Sequence, residues 1–242
     1  MKDTILFLDL DNTIFQTKKR NKNGTVQATN TENSENVSYM TKAQEAFFNL
    51  FLESENSMII PTTARNLEQY NKTLISKNEK IKIAVLYFSA VILENNEVDR
   101  VWEKHIQEKY LSLKISIDEM YKYIESIIDK DIFRLCNVDG FYVSLRNMSN
   151  KFKVVTEENK NLIEKLESFL DPDEYYIAHE NKNISIVPKF LDKRIAVEFL
   201  IEKYKPSLAV GAGDSLSDIS FLQICDFMAI PKRSQIDIHK IS

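Results

Sequence analysis

The sequence predicts an α/β fold in which a doubly wound parallel sheet is interrupted by an inserted α+β domain. Three observations carry this prediction: short apolar runs alternate with helical patterns towards both ends of the chain, helix and hairpin patterns alternate between them, and aspartates follow two of the apolar runs. Continuous apolar runs are typical of strands that are buried on both faces of a parallel sheet. Their alternation with helices is typical of α/β domains.

The apolar runs mark the strands of the predicted core. They lie at 4–9, 57–61, 83–88, 207–210 and 226–230. Thr41 with Gln44 forms a capping box before an amphipathic stretch, and Asp192 precedes another such stretch, so each predicts a helix start. Residues 16–40 are polar and rich in Asn, Thr and Lys, which predicts a mobile loop beside the first strand.

The middle of the chain has a different pattern. Ser116 with Glu119 predicts a helix start, and Asp139-Gly140 between two strand-like runs predicts a tight hairpin. The order is helix, hairpin, helix, hairpin, at 116–128, 132–147, 156–170 and 175–187. The predicted domains are therefore a core over 1–105 and 186–242 and an inserted α+β domain over 106–185.

Composition and charge exclude several classes of protein. Among 242 residues, 32 Lys and Arg oppose 36 Asp and Glu without a basic block, which disfavours a nucleic-acid partner. No apolar run approaches the roughly 20 residues that span a bilayer, and charges interrupt the N-terminal stretch, so we expect a soluble, cytoplasmic protein without a membrane partner. Cys136 and Cys225 lie far apart without metal-ligand spacing, and the four glycines form no nucleotide-binding loop.

Four aspartates follow core strands. Asp9 and Asp11 follow the first strand, and Asp214 and Asp218 follow the fourth. Because ligand sites in open α/β sheets lie beyond the carboxyl ends of the strands, we expect these carboxylates to converge. Clustered carboxylates repel one another unless a cation with a preference for oxygen ligands, most often Mg²⁺, lies between them.

Other residues suit an anion beside that metal. Thr62, Thr63 and Arg65 follow the second strand, where hydroxyl and backbone N–H groups can hold an anion, and either Lys189 or Lys193 can supply a cation. Carboxylates, a metal, a hydroxyl and a lysine together favour attack on a phosphate ester.

The motifs resemble those of a known superfamily. Asp9-Leu10-Asp11-Asn12-Thr13, Thr63-Ala64-Arg65, a lysine and Gly213-Asp214-Ser215-Leu216-Ser217-Asp218 match, in order, the four motifs of the haloacid dehalogenase (HAD) phosphohydrolases. The insert resembles the cap of the branch that contains Cof-type and sucrose-phosphate phosphatases, and Phe88-Ser89 stands where that branch usually has Asn-Gly. The resemblance implies a Rossmann-like core and a cap that governs substrate specificity.

The resemblance also implies roles for individual residues. Asp9 would be the nucleophile and Asp11 the general acid and base. Asp9, the backbone carbonyl of Asp11, and Asp214 would hold Mg²⁺, with Asp218 beside it or acting through water. Lys193 fits the third motif better than Lys189, and the substrate-binding residues would be Thr62, Thr63, Ala64 and Arg65, with Thr63 on the phosphoryl group. Ala64 and Ser217 depart from the family's usual Gly and Asn.

These observations predict a Mg²⁺-dependent hydrolase of small phosphate monoesters, such as a sugar phosphate, that works through an aspartyl-phosphate as a monomer or weak homodimer. The alternative is a non-catalytic, HAD-like or receiver-like regulatory protein that binds a metal or a phosphoryl group as a signal. In the cap, we expect Arg134, Arg146, His179 and Asn183 to influence which ester is preferred.

Overall fold

The computed structural model describes residues 2–31, 37–149, 152–180, 182–232 and 234–236. The chain divides into two compact units, Met1–Glu103 with Asp192–Ser242, and Lys104–Leu191. The first unit is therefore built from two separated stretches of chain, and the second unit from one continuous stretch.

The helices and strands follow in chain order. They begin with β1 (Thr4–Leu8), β2 (Gln16–Thr17), β3 (Val26–Gln27), β4 (Ser38–Met40), α1 (Lys42–Leu52), β5 (Ser57–Pro61), α2 (Leu67–Asn71), β6 (Ile83–Leu86), β7 (Val91–Glu94), β8 (Glu97–Val98) and α3 (Arg100–Leu111). They continue with α4 (Ile117–Ile127), β9 (Phe133–Val138), β10 (Tyr142–Asn147), α5 (Phe152–Phe169), β11 (Tyr175–Glu180) and β12 (Asn183–Pro188). They end with α6 (Lys193–Tyr204), β13 (Leu208–Ala212), α7 (Ile219–Leu222) and β14 (Phe227–Ala229).

A parallel sheet forms the centre of the first unit. Its strands lie in the order β14-β13-β1-β5, and each neighbouring pair is parallel. The side chains of Ile5 to Leu8 in β1 are fully buried, as expected for an apolar run between two neighbouring strands. The predicted α/β class is confirmed. Because the strands are parallel, their carboxyl ends lie at one edge, where Asp9 follows β1 and Asp214 follows β13.

The apolar run at 83–88 departs from the expected pattern. It forms β6, which pairs antiparallel with β7 in a separate sheet of order β6-β7-β8. A single parallel bridge between Thr62 and Val85 connects it to the chain beyond β5. The reason is the turn at Tyr87–Ser89, whose positive φ values of 53°, 61° and 138° reverse the chain and place β7 against β6.

The prediction of a mobile loop over 16–40 is wrong in part. Its described residues include a three-stranded antiparallel sheet of order β2-β4-β3. Buried polar groups stabilise this sheet. The Ser38 N–H donates to the buried Thr29 Oγ1 at 2.8 Å. The strands are too short and too polar to give an apolar pattern. Residues 32–36 of this segment lie outside the described residues.

Local capping signals place the helix starts. Thr41 and Ser116 form the predicted capping boxes of α1 and α4, with Gln44 and Glu119 as the reciprocal partners. Asp192 caps α6 by accepting from the Arg194 N–H at 2.9 Å, so α6 begins at Lys193. Within the described residues, no helix is long and apolar enough to cross a membrane.

The second unit is a four-stranded antiparallel sheet with its own apolar core. Its strand order is β11-β12-β10-β9, and Asp139 and Gly140, with φ values of 52° and 81°, form the tight turn between β9 and β10. Side chains of α4 and α5, among them Met120 and Leu166, are buried with those of the sheet. This unit spans Lys104–Leu191, whereas the sequence predicted 106–185, and β12 pairs with β11 as far as Pro188.

Candidate active site

Three buried carboxylates converge beyond the parallel sheet. Asp9, Asp214 and Asp218 each offer an oxygen, and these oxygens lie within 4.8 Å of one another. Asp9 directly follows β1, and Asp214 lies two residues after the neighbouring strand β13. The convergence therefore results from the parallel pairing of these two strands.

Lys193 lies between two of these carboxylates. Its Nζ is 2.8 Å from Asp9 Oδ1 and 2.6 Å from Asp218 Oδ1, and the side chain is buried. Asp192 fixes the start of α6, and its own Oδ1 also accepts from Ser220 Oγ at 2.6 Å, which connects α6 to α7. Lys189 lies in the second unit, where its backbone N–H donates to the Glu174 carbonyl. The structure thus places the Lys193 ammonium group at Asp9.

Thr13 also contacts the cluster and is not among the residues that the sequence predicts for the site. Its Oγ1 lies 2.7 Å from Asp9 Oδ2 and 3.3 Å from Asp214 Oδ1, so one hydroxyl bridges two carboxylates. The Thr13 carbonyl accepts from the Gln44 side chain at 3.0 Å, which fixes this residue to α1. The available signal was its place at the end of the motif that begins with Asp9.

Asp218 organises the loop after β13. Its Oδ2 accepts from the N–H groups of Asp214 and Ser215 at 3.1 and 2.9 Å and from Ser215 Oγ at 2.7 Å. Gly213 makes this packing possible, because a Cβ at that position would lie 2.6 Å from the Cβ of Asp218. Ser217, which departs from the family motif, is exposed, and its Oγ lies 2.8 Å from Ser215 Oγ.

The cluster carries more negative than positive charge. Burial, and then the nearby Asp218, raise the pKa of Asp9 to about 8, although Lys193 acts in the opposite direction. Burial alone would lower the pKa of Lys193, but Asp218 and Asp9 raise it above its ordinary value. Three buried carboxylates facing one ammonium group leave a charge that a divalent cation would neutralise, and carboxylate oxygens are the donors that Mg²⁺ prefers. The residues present therefore fit Mg²⁺.

The Thr62–Arg65 segment leaves the sheet beside β1. The Thr62 N–H donates to the Leu8 carbonyl at 2.8 Å, while the Thr62 hydroxyl donates back to the Ile60 carbonyl at 3.1 Å. Thr63 is buried, and its Oγ1 accepts from the Arg65 N–H at 3.2 Å. The segment is thus placed one strand away from Asp9.

Asp11 stands apart from the three clustered carboxylates. Its two oxygens face Arg65, with Nε at 2.6 Å and Nη2 at 2.7 Å. The contribution of its backbone carbonyl to a metal site stays a prediction.

The expected specificity residues of the cap lie in the second unit. Arg134 and Arg146 are opposite each other on β9 and β10, and Arg146 is opposite Asn183 on β12. His179 Nε2 lies 3.1 Å from Nδ2 of the buried Asn159. Their effect on ester preference stays a prediction.

Solved structures with this fold are known, although no family model and no curated protein matches the chain. The sucrose-phosphatase from Synechocystis sp. PCC6803, solved with sucrose and phosphate, aligns with a TM-score of 0.57 at 14% identity over 92% of this chain and 80% of that chain. The C-terminal domain of C. albicans trehalose-6-phosphate phosphatase aligns with a TM-score of 0.62 at 13% identity over 92% and 73%. The protein 0175 of Thermoplasma acidophilum aligns with a TM-score of 0.61 at 12% identity over 100% and 90%.

These alignments cover both units of the chain. At such low identity they establish the fold, and the HAD-type fold that the four motifs predicted is confirmed.

Proposed function

We propose that this chain is a phosphatase that hydrolyses small phosphate monoesters, with Mg²⁺ as its cofactor and Asp9 as its nucleophile. The observation that carries the proposal is the buried cluster of Asp9, Asp214 and Asp218 with Lys193 at 2.8 Å from Asp9. A metal and an ammonium group beside a nucleophilic carboxylate suit phosphoryl transfer, because both offset the charge of the transferring group.

The first step uses Asp9 and Asp11. Lys193 and Thr13 hold the two oxygens of Asp9, so the carboxylate is fixed from both sides. One of these oxygens forms a bond to phosphorus while the bond from phosphorus to the leaving oxygen breaks, and Asp11 passes its proton to that oxygen.

The second step releases the phosphate. Asp11, now a carboxylate, accepts a proton from the water that attacks phosphorus, and inorganic phosphate leaves as Asp9 is regenerated. Asp9, Asp214 and the backbone carbonyl of Asp11 would hold Mg²⁺, with Asp218 beside it or acting through water. The bound cation supplies positive charge that orients the phosphoryl group and neutralises it.

We further propose a sugar phosphate or a related metabolite as the substrate. Two of the matched structures are named for phosphatases of sucrose phosphate and trehalose 6-phosphate, which supports this choice. In this proposal the second unit is the cap that selects the ester, through Arg134, Arg146, His179 and Asn183. A panel of phosphorylated metabolites, tested against alanine variants of these four residues, identifies the preferred ester and the residues that select it.

The function itself is tested with a chromogenic ester. We expect the purified chain to hydrolyse p-nitrophenyl phosphate with Mg²⁺, to lose activity when EDTA is added, and to regain it with excess Mg²⁺. Asp9→Asn should abolish turnover, because an amide neither attacks phosphorus nor binds a hard cation as a carboxylate does. The matched control is Asp131→Asn, at an exposed position of the second unit, which should keep the wild-type rate.

The same experiment separates this function from the regulatory alternative. A receiver-like protein would take up a phosphoryl group at Asp9 and keep it, whereas an enzyme releases phosphate repeatedly. Turnover that persists in EDTA would contradict the metal role, and full activity of Asp9→Asn would contradict the nucleophile.

A further inference from the structure

The guanidinium group of Arg65 is held at three nitrogen atoms. Nε and Nη2 donate to the two oxygens of Asp11 at 2.6 and 2.7 Å, and Nη1 donates to the Gln69 carbonyl at 3.0 Å. The guanidinium carbon lies 5.1 Å from the centre of the Phe15 ring, within the range of a cation–π contact. These contacts leave the side chain little freedom to rotate.

The backbone of Arg65 is fixed as well. Its N–H donates to Thr63 Oγ1 at 3.2 Å, and its carbonyl accepts from the Tyr87 N–H at 3.0 Å. Gln69, which holds Nη1, belongs to the capping box that begins α2. Arg65 is therefore anchored to the rigid elements around it through both its main chain and its side chain.

Asp11 has no comparable anchors. Its side chain is 50% exposed, against 17% for Arg65, and among the described residues its carboxylate hydrogen-bonds to Arg65 alone. A two-point pair between a guanidinium and a carboxylate fixes the plane of the carboxylate as well as its position. The orientation of Asp11 is thus set by Arg65.

We propose that Arg65 is a positioning residue that holds Asp11 in the orientation from which it passes its proton to the leaving oxygen. This inference rests on the proposed phosphatase function and adds a role that differs from direct substrate binding. Arg65 acts only through Asp11, so its contribution should be large where the leaving oxygen needs a proton and small where it does not.

The alternative is that Arg65 binds the phosphoryl group directly, as the sequence motif implied. A guanidinium has five N–H donors, and the contacts above use three of them, one on each nitrogen. The two roles differ in one measurable respect, because a phosphate contact acts on every ester and does not need Asp11.

The test is a double-mutant cycle measured with two leaving groups. Arg65→Gln, Asp11→Asn and the double variant are assayed with p-nitrophenyl phosphate, whose leaving group needs no proton, and with glycerol phosphate, whose leaving group does. We expect Arg65→Gln to lower kcat/KM for glycerol phosphate on the order of tenfold or more and for p-nitrophenyl phosphate much less. We expect the double variant to be no slower than Asp11→Asn.

Two further variants serve as a check on folding and as a matched control. Arg65→Lys keeps the charge but cannot form the two-point pair, so it should show the same dependence on the leaving group even if Arg65→Gln folds poorly. The matched control is Arg100→Gln, which removes an exposed pair with Glu103 and should leave both rates unchanged.

Three outcomes would overturn the inference. The first is an equal loss on both esters with a raised KM and weaker inhibition by inorganic phosphate, persisting in the Asp11→Asn background, which assigns Arg65 to phosphate binding. The second is wild-type rates in Arg65→Gln on both esters. The third is a wild-type chain that hydrolyses neither ester, which refutes the proposed function and the inference with it.

Discussion

One ammonium group serves two carboxylates in the buried cluster. Removing Lys193 would take away the ammonium group that both Asp9 and Asp218 contact, and with it one of the two positive charges that offset the phosphoryl group. We expect Lys193→Ala to lower kcat/KM on the order of 10²–10³-fold. Lys189→Ala is the matched control, because Lys189 is exposed and lies in the second unit, and it should change the rate little. Steady-state rates that rank the two variants in the opposite order would contradict the placement of the third motif.

The charge of Asp9 makes stability depend on pH. Burial and Asp218 raise its pKa from 3.8 to about 8, so the folded chain binds this proton more tightly than the unfolded chain. The stability that this proton provides is complete below about pH 4 and is lost as the pH rises through about 8. Lys193 does not contribute to this dependence of stability on pH, because its pKa stays above 10.5 and the ammonium group is protonated over the whole of this pH range.

Asp9→Asn should remove this dependence of stability on pH. In EDTA, we expect the variant to gain thermal stability over the wild type at about pH 8.5 and to gain less at about pH 5, as measured by circular dichroism melting curves. If the difference in Tm between the variant and the wild type is the same at both pH values, Asp9 is ionised in the folded chain at both.

At the level of elements, the turn between β6 and β7 stores strain beside the site. Ser89 has a φ of 138°, and its buried Oγ has no hydrogen-bond partner among the described residues. The turn persists because its backbone is engaged on both sides: the N–H groups of Tyr87 and Phe88 donate to the Arg65 and Thr63 carbonyls, and the Ser89 carbonyl accepts from Trp102 Nε1 at 2.7 Å.

Two substitutions separate the causes of this strain. Ser89→Ala removes the unpaired hydroxyl but keeps the Cβ, and we expect it to raise the free energy of unfolding by about 1 kcal/mol. Ser89→Gly also relieves the positive φ, and we expect about 1 kcal/mol more, measured by urea denaturation. A glycine variant that is less stable than the alanine variant would show that the turn is not strained by its side chain.

At the level of the whole molecule, the metal should stabilise the fold. A ligand that binds only the folded chain adds about 2.7 kcal/mol at a hundredfold excess over its Kd. We therefore expect Mg²⁺ to raise Tm in the wild type and in Asp131→Asn, but not in Asp214→Asn, which lacks one of the clustered carboxylates. An equal rise in all three proteins would mean that Mg²⁺ binds elsewhere.

Local signals in the sequence predicted most of the fold. The apolar run of β1 and the capping box at Thr41 depend on neighbouring residues, and the structure has both where they were expected. The sheet within 16–40 was missed, because its short strands are held by buried polar groups such as Thr29. The contacts of Thr13 with Asp214 and of Arg65 with Asp11 also escaped prediction, since they depend on where folding brings side chains that are distant in sequence.

In the sequence, the second unit is inserted between the two stretches that form the first unit. This insertion sets the order in which the units can fold during synthesis. β1 lies between β5 and β13, so one of its edges has no partner until residues 208–212 have left the ribosome. The second unit has all four of its strands between residues 133 and 188, and it completes its sheet earlier. Lys193 joins Asp9 across 184 positions of sequence, and Thr13 joins Asp214 across 201. The acidic cluster is therefore among the last parts of the molecule to assemble, and until then β1 presents an open apolar edge to the cell.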